Sequence, residues 1–259
     1  MIRRRLYTEV RVTWLATLAR RLALFSLPVI VLAVALHRLG LVEYEVGFIT
    51  LAAGLAIALV AVLVAAAAFV AIWNEGLRGL GRALSAFVLG VAVLAWPAFE
   101  FARGVSLPSI SDITTDPSDP PRFIAVASAR PSGANPVAYP GEEAAMRQRI
   151  AYPGVRPIEI EASPDEAFNL ALALVERRGW RVLDSVTPRG GQREGRIEAV
   201  SLTPLMGFRE DIVIRIRTLG SGVRIDMRSA SRYGGQDLGS NARRIETFFN
   251  DFADERRRR

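Results

Sequence analysis

The chain has 259 residues, no cysteine, no lysine and a single histidine, His37. Without cysteine there is no disulfide, no thiolate nucleophile and no cysteine-ligated metal. From Gly104 onward the chain lacks His, Cys and Lys together. Hydrolytic triads and dyads need a His or Lys base, and zinc-like metals favour imidazole or thiolate, so neither chemistry is expected there. Carboxylate sites for Ca²⁺ or Mg²⁺ stay open, but no Asp-x-Asp-x-Asp loop is present. Glu159/Glu161 and Glu210/Asp211 are the tempting carboxylate pairs for glycoside chemistry. Acids one or two apart on a strand read more simply as solvent-facing charges. The turn Gly190-Gly191-Gln192 lacks the spacing of a phosphate loop. The expectation is no enzyme, no cofactor and no metal site.

Long apolar runs are also missing beyond residue 103, whereas the first part of the chain is built from them. Leu22–Val42, Val46–Trp73 and Ala83–Phe101 each reach or approach the ~20 residues that cross a bilayer. The formal net charge of +7 and pI near 10.7 suggest nucleic-acid binding, but the excess lies at the ends. Residues 1–21 hold six Arg and one Glu, residues 22–103 four of each, and residues 104–259 have 23 Arg against 21 acids, with Arg256–Arg259 at the terminus. No basic stripe remains in the body of the C-terminal region, so no nucleic-acid partner is expected. All 33 basic residues are Arg, a choice consistent with GC-rich coding.

Residues 1–21 repeat Leu6, Val10, Trp14 and Leu18 among Arg3, Arg4, Arg5 and Arg11, the pattern of an amphipathic helix in the headgroup region; a disordered basic tail is the alternative. The span over 22–42 is the weakest, with Pro28 inside it and His37 and Arg38 near its end. A signal peptide, with Ala33-Val34-Ala35 as its small-residue site, competes with it, although the basic lead is long and two further spans follow. In the span over 46–73, Gly54/Ala58 and Ala61/Ala65 set small residues four apart, a face suited to close packing in lipid or to self-association. The span over 83–101 ends in Trp96-Pro97-Ala98-Phe99, suited to an interface. Arg near the N-terminus and at Arg78 and Arg82 outweigh Arg38, which has Glu43 and Glu45 beside it. The positive-inside rule then puts the N-terminus in the cytoplasm and, after three crossings, the C-terminal domain in the periplasm of a Gram-negative cell.

Residues 104–156 are studded with proline (Pro108, Pro117, Pro120, Pro121, Pro131, Pro136, Pro140 and Pro153), which argues against helix and central strand. Phe123, Ile124 and Val126 give this segment apolar docking points, so it reads as a strap along the domain, or else as a tether. Residues 157–259 then read as strand, helix, four strands, helix. Pro157–Glu161 alternates. Ser163-Pro164-Asp165-Glu166 is a capping box with Pro at the first helical position, and the helix it opens stops near Gly179. Strands follow at Trp180–Val186 and Arg196–Leu202, with a turn over Pro188–Gln192 between them. Asp211–Arg217 and Val223–Arg228 form a hairpin around Gly220-Ser221-Gly222, and Ser240–Glu255 closes as a helix. Ile212, Ile214, Ile216, Val223, Ile225 and Met227 share one face. Arg215, Arg217, Arg224, Asp226 and Arg228 share the other, expected to be a solvated charged ladder. The fold class is therefore three transmembrane helices followed by an α+β domain, an antiparallel sheet with two helices on one face. This layout is similar to the TATA-binding-protein-like or helix-grip order, which carries no function by itself.

Two segments are more specific. Ile110-Ser111-Asp112-Ile113-Thr114-Thr115-Asp116-Pro117 leads into Asp119-Pro120-Pro121, and Arg228-Ser229-Ala230-Ser231-Arg232-Tyr233-Gly234 leads into Asp237-Leu238-Gly239-Ser240-Asn241 and Arg244-Ile245-Glu246. Over about Ser109–Phe252 the chain resembles domain-of-unknown-function family 1499, found in bacterial membrane proteins and in some lipid-anchored or plastid proteins. Where that family has Asn followed directly by Arg, this chain has Asn241-Ala242-Arg243-Arg244. The resemblance implies no catalytic residues.

The candidate cluster is Arg228, Ser229, Ser231, Arg232, Gly234, Asp237, Gly239, Asn241 and Arg244, with Asp112 and Asp116 from the strap. Glycines permit positive φ between the last strand and helix, and Asp237 or Ser240 can cap that helix. Open N–H groups beside Arg232, Arg243 and Arg244 suit an anion. A structural knot, in which Asp112, Asp116 or Asp119 pairs with Arg228 or Arg232, uses the same residues. The leading expectation is a non-enzymatic inner-membrane protein whose periplasmic domain binds or scaffolds envelope components. A sensor or carrier of a small anionic or lipid ligand is the first alternative, and an enzyme using Asp, Arg and Ser the second. The lipid bilayer is the expected partner, with other envelope proteins or a second copy through the Ala-rich span as further candidates. Arg232→Ala is expected to loosen the strap, read as faster proteolysis within residues 111–128; unchanged resistance there counts against the strap contact.

Overall fold

The computed structural model describes residues 11–188, 194–220 and 222–258. The start of the basic segment through Val10, the Gly190-Gly191-Gln192 turn, Ser221 and Arg259 lie outside the described residues. The chain divides into two compact units, one up to Ala102 and one from Arg103.

The first unit holds α1 (Trp14–Arg38), α2 (Tyr44–Glu75) and α3, which begins at Leu80 and runs to Val105. All three are long and apolar enough to cross a membrane. α1 starts at Trp14, well before Leu22, so residues 14–21 are the opening turns of the same helix. The reason lies in Ala16, Ala19 and Ala23, all fully buried. Ala16 packs with Ala68 of α2 and Ala83 of α3, while Ala19 and Ala23 pack with Ala61, Ala65 and Ala86. Pro28 lies inside α1 without ending it.

Small residues line the contacts between the three helices, and large ones such as Phe25, Leu32, Leu63 and Val88 point outward. That inversion of a soluble core suits lipid, where association relies on close backbone approach. A Cβ at Gly54 would sit 2.6 Å from Ile30 Cγ1, and one at Gly90 2.6 Å from Val62 Cγ2. The face of α2 with small residues four apart, read as suited to close packing, is packed against α1 and α3 of the same chain.

The second unit is an antiparallel six-stranded sheet in the order β1-β6-β5-β4-β3, with β2 also on β6. The strands are β1 (Asp112–Thr114), β2 (Ile158–Ile160), β3 (Arg181–Val186), β4 (Glu194–Leu202), β5 (Arg209–Thr218) and β6 (Val223–Ser231). β1 pairs with the end of β6, Asp112 opposite Ala230, and β2 with its start, Ile160 opposite Val223. Two short strands thus share one edge of β6, bridged where Thr115 N–H donates to the Met227 carbonyl at 2.9 Å and Met227 N–H to Thr115 Oγ1 at 2.9 Å.

The helices α6 (Pro164–Arg177) and α7 (Ser240–Arg257) pack on the apolar face. Ser163 caps α6 by accepting from Glu166 N–H at 3.2 Å, with Pro164 at the first position. Phe168, Leu174, Ile245, Phe248 and Phe252 meet Ile197, Ile212, Ile214, Ile216, Ile225 and Met227 in one core. The expected order from residue 157 onward is the observed one.

The strap departs from expectation in two respects. It contains β1 and two helices, α4 (Ala125–Ala129) and α5 (Glu142–Ala151). Proline did not prevent these because Pro117, Pro120, Pro121, Pro131, Pro136, Pro140 and Pro153 all fall between the elements. It also lies over the charged face of the sheet, so that face is not a solvated ladder. Glu198, Asp211 and Asp226 are each 0% exposed, Arg215 5% and Arg228 3%.

A candidate site of buried ion pairs

Side chains alternate across a strand, so the signature residues of β6 divide between the two faces. Arg228 points to the strap and Ser229 and Ser231 to the helices. The candidate cluster is consequently two structures, one on each side of the sheet.

On the helix side, the glycine-rich link turns at Gly234 and Gly239, with φ of 82° and 75°. Asp237 closes the start of α7, accepting from Gly239 N–H at 2.9 Å and Asn241 N–H at 2.8 Å. Burial pushes the Asp237 carboxyl up, against the lowering effect of those two N–H groups. Asn241 is fully buried and donates to the Ser111 carbonyl at 3.1 Å and to Ser231 Oγ at 3.0 Å, while accepting from Ser229 Oγ at 2.7 Å. Arg244 donates to Ser229 Oγ at 2.9 Å and Asn241 Oδ1 at 2.8 Å and pairs with Glu210. Ser240 Oγ also donates to Glu210, at 2.9 Å. The N–H groups and arginine expected to hold an anion are thus engaged by Asp237, Glu210 and Asn241.

On the strap side, Arg228 clasps Asp112 through Nε at 2.9 Å and Nη2 at 2.6 Å. It also donates to the carbonyls of Pro121 at 3.2 Å and Val137 at 2.9 Å. Its guanidinium lies 4.6 Å from the Phe123 ring centre and 5.5 Å from that of Tyr139. One arginine therefore gathers three parts of the strap. Arg232 pairs with Asp211, Nη2 to Oδ1 at 2.8 Å, and donates to the Ala129 carbonyl at 3.1 Å. Arg130 of the strap reaches the same Asp211 at 2.7 Å. Asn135 secures the next segment, its N–H donating to the Arg232 carbonyl at 2.7 Å and its side chain to Gly234 O at 2.8 Å.

Farther along, Asp116 and Asp119 of the strap and Asp226 of β6 meet Arg215, Arg217 and Arg224. Asp226 accepts from Arg215 Nη2 at 3.1 Å, Arg217 Nη2 at 3.0 Å and Arg224 Nε at 3.0 Å. Asp116 accepts from Arg224 at 2.8 Å and Arg217 at 3.1 Å. Asp119 accepts from Arg215 at 3.1 Å and Arg217 at 2.8 Å. Three carboxylates face three guanidinium groups; Asp116 and Asp226 are buried and need that pairing, while Asp119 sits half-exposed at the rim. Burial alone would raise the Asp116 carboxyl. The Ser118 hydroxyl, the Asp119 N–H, the charge of Arg224 and the hydrogen bond from Arg217 outweigh it and hold Asp116 below the usual carboxylate range.

Several functional residues escaped sequence reasoning. Glu210 and Asp211 are buried on opposite faces, so they are neither solvent-facing nor a pair. Glu198 accepts from the N–H groups of Ile124 and Val126, at 2.9 Å each, and so starts α4. Gln148 of α5 satisfies the outer edge of β1, with Thr114 N–H donating to it at 3.0 Å and its Nε2 donating to Thr114 O at 2.6 Å. The available signal was complementary charge: a strand face alternating Arg and Asp beside the three aspartates that open the proline-rich segment, Asp112, Asp116 and Asp119. Glu159 and Glu161 are exposed as expected. Among the described residues no group of three or more His, Cys, Asp or Glu is placed to hold a metal ion.

A shallow cavity of about 420 Å³ lies where the strap crosses Arg228, lined by Asp119, Arg122, Phe123, Val137 and Tyr139. The Tyr139 hydroxyl is buried there without a hydrogen-bond partner. Its pKa is pushed up to about 12 by burial and then by the nearby Asp112 charge.

Asp116 sets a pH dependence. Its folded pKa lies below its unfolded value, so its contribution is complete above the ordinary carboxylate range and is lost as pH falls through the depressed folded value. Asp237, raised by burial, acts in the opposite sense. Protease protection of residues 111–128 should therefore fall below about pH 4 in the native protein. Asp116→Asn should weaken that protection at neutral pH and flatten its pH dependence. An unchanged profile in the variant contradicts the assignment.

The comparison with curated proteins gives no match. The profile of DUF1499, described as a protein of unknown function, matches residues 112–252, more than half of the chain. That stretch opens at Asp112, the partner of Arg228, and closes at Phe252, the last aromatic of the α7 core face. The chain belongs to the DUF1499 family.

Proposed function

We propose that this protein is a membrane-anchored, non-enzymatic binding or scaffolding component of the bacterial envelope. Its N-terminus lies in the cytoplasm and its α+β domain in the periplasm, anchored in the inner membrane. The carrying observation is where the signature residues direct their polar groups. Asp112, Arg228, Arg232, Asp237, Asn241 and Arg244 bind one another, the sheet residues Glu210, Asp211 and Ser229, or nearby backbone, and so fix the strap and α7 to the sheet. Residues used this way build a rigid platform. The surface offered to a partner then falls elsewhere, and α5 supplies it. That helix buries Ala144, Ala145 and Gln148 inward and presents Met146 and Ile150, 54% and 78% exposed, one turn apart on its outer side.

The orientation rests on the Arg distribution. A second reading, a small-ligand sensor, is favoured by the cavity at Phe123 and Tyr139, whose unpaired hydroxyl would bond a polar ligand atom.

Photo-cross-linkers placed at positions 146 and 150 of the full chain in intact cells test the platform reading, with position 254 on α7 as the control. A discrete adduct from 146 and 150 but not from 254 is expected; no adduct from either contradicts it. A reporter active only in the cytoplasm, fused after Arg259, is expected to be silent. Its activity would reverse the orientation.

A further inference from the structure

The two connections at the ends of the central hairpins differ in chemistry. β5 and β6 are joined through Gly220-Ser221-Gly222, whereas β4 and β5 are joined by Thr203-Pro204-Leu205-Met206-Gly207-Phe208. Hairpin ends usually carry polar residues with glycine, and this one is largely apolar.

It is also held rigidly. Thr203 N–H donates to the Phe208 carbonyl at 2.9 Å, Gly207 N–H to the Thr203 carbonyl at 3.0 Å, and Phe208 N–H to Thr203 Oγ1 at 2.9 Å. Met206 turns inward as an anchor, 4% exposed, which leaves Leu202 and Leu205 outward at 56% and 49%. Pro204 is exposed beside them, and Arg209 is exposed at the base of the turn.

Register fixes the location of this turn. Leu202 pairs with Arg209, Glu210 with Ser231, and Ala230 with Asp112. The turn therefore lies at the end of the sheet where β1 starts and the chain enters the domain. Only residues 106–111 separate Val105, the last residue of α3, from β1. Six residues reach at most about 20 Å, against a headgroup layer of roughly 5–8 Å on each side of the hydrocarbon.

We infer that the turn 203–208 is a membrane-interface anchor of the C-terminal domain. Leu202, Pro204 and Leu205 enter the headgroup–acyl boundary of the bilayer, and Arg209 sits at the level of the lipid phosphates. An apolar tip with a basic base matches that layer, where apolar side chains are buried a few ångströms deep and a guanidinium meets anionic headgroups. The inference rests on α3 crossing the bilayer.

Because the chain has no cysteine, single-cysteine variants carry one spin label each. Leu205→Cys, Leu63→Cys on the outward face of α2 and Thr218→Cys at the opposite end of the sheet are compared. Each is made in the full chain, in vesicles of phosphatidylcholine and phosphatidylglycerol, with oxygen as the apolar relaxant and a nickel chelate as the aqueous one. The label at 205 is expected to have a severalfold higher ratio of oxygen to nickel accessibility than at 218, with 63 higher again. If 205 matches 218 while 63 reads as lipid, the anchor is wrong and the spanning helices stand. If 63 also reads as aqueous, the spanning helices fail and the anchor with them. Shielding of 205 from both relaxants means that protein, not lipid, covers the turn, and overturns the inference.

Discussion

Charge buried between the strap and the sheet is the constraint on which the C-terminal domain depends. A sheet has two faces, and only one of these is covered by apolar helices. The other carries Arg215, Arg217, Arg224, Arg228 and Arg232 with Glu198, Asp211 and Asp226. Removing each such ion from water costs several kcal/mol. The strap offsets this cost by matching charge with charge and by supplying the carbonyls of Pro121, Ala129 and Val137 to the remaining guanidinium N–H groups. A polar layer of this kind contributes less net stability than an apolar one of equal size, but it tolerates few alternative arrangements. That explains why a segment rich in proline, with short helices and a three-residue strand, holds one course across the sheet.

The extent of the family match has the same physical content. It begins at β1, before the sheet proper, because the strap is part of the fold and not a linker to it. The signature around β6 joins both layers. Arg228 and Arg232 hold the strap on one face, while Asp237, Asn241 and Arg244 hold the start of α7 on the other. The run of glycines and arginines after β6 thus joins the strap, the sheet and α7.

Much of this was legible in the sequence. The three apolar runs, the capping box at Ser163, the stop at Gly179 and the period-two pattern of Ile212, Ile214 and Ile216 give the elements of both units, because each rests on local physics. That a strap aspartate pairs with Arg228 or Arg232 followed from charge; the structure selects Asp112 for Arg228. Three features did not follow. The start of α1 at Trp14 depends on alanines whose partners lie on other helices, so Arg20 and Arg21 misled as a boundary. Burial of Glu198, Asp211 and Asp226 depends on the strap, and a strand face of mixed charge looks alike whether it meets water or a complementary chain. The role of Gln148 as a surrogate strand partner has no local signature at all.

A double-mutant cycle on Asp112 and Arg228 tests the central claim most directly, using Asp112→Ala, Arg228→Ala and the pair, with unfolding of the C-terminal domain followed by amide exchange in β1 and β6. If their pairing closes the strap over the sheet, the two losses will be strongly non-additive, with a coupling energy of about 1–3 kcal/mol. Additive losses would show that the strap is held by other means and would contradict the account.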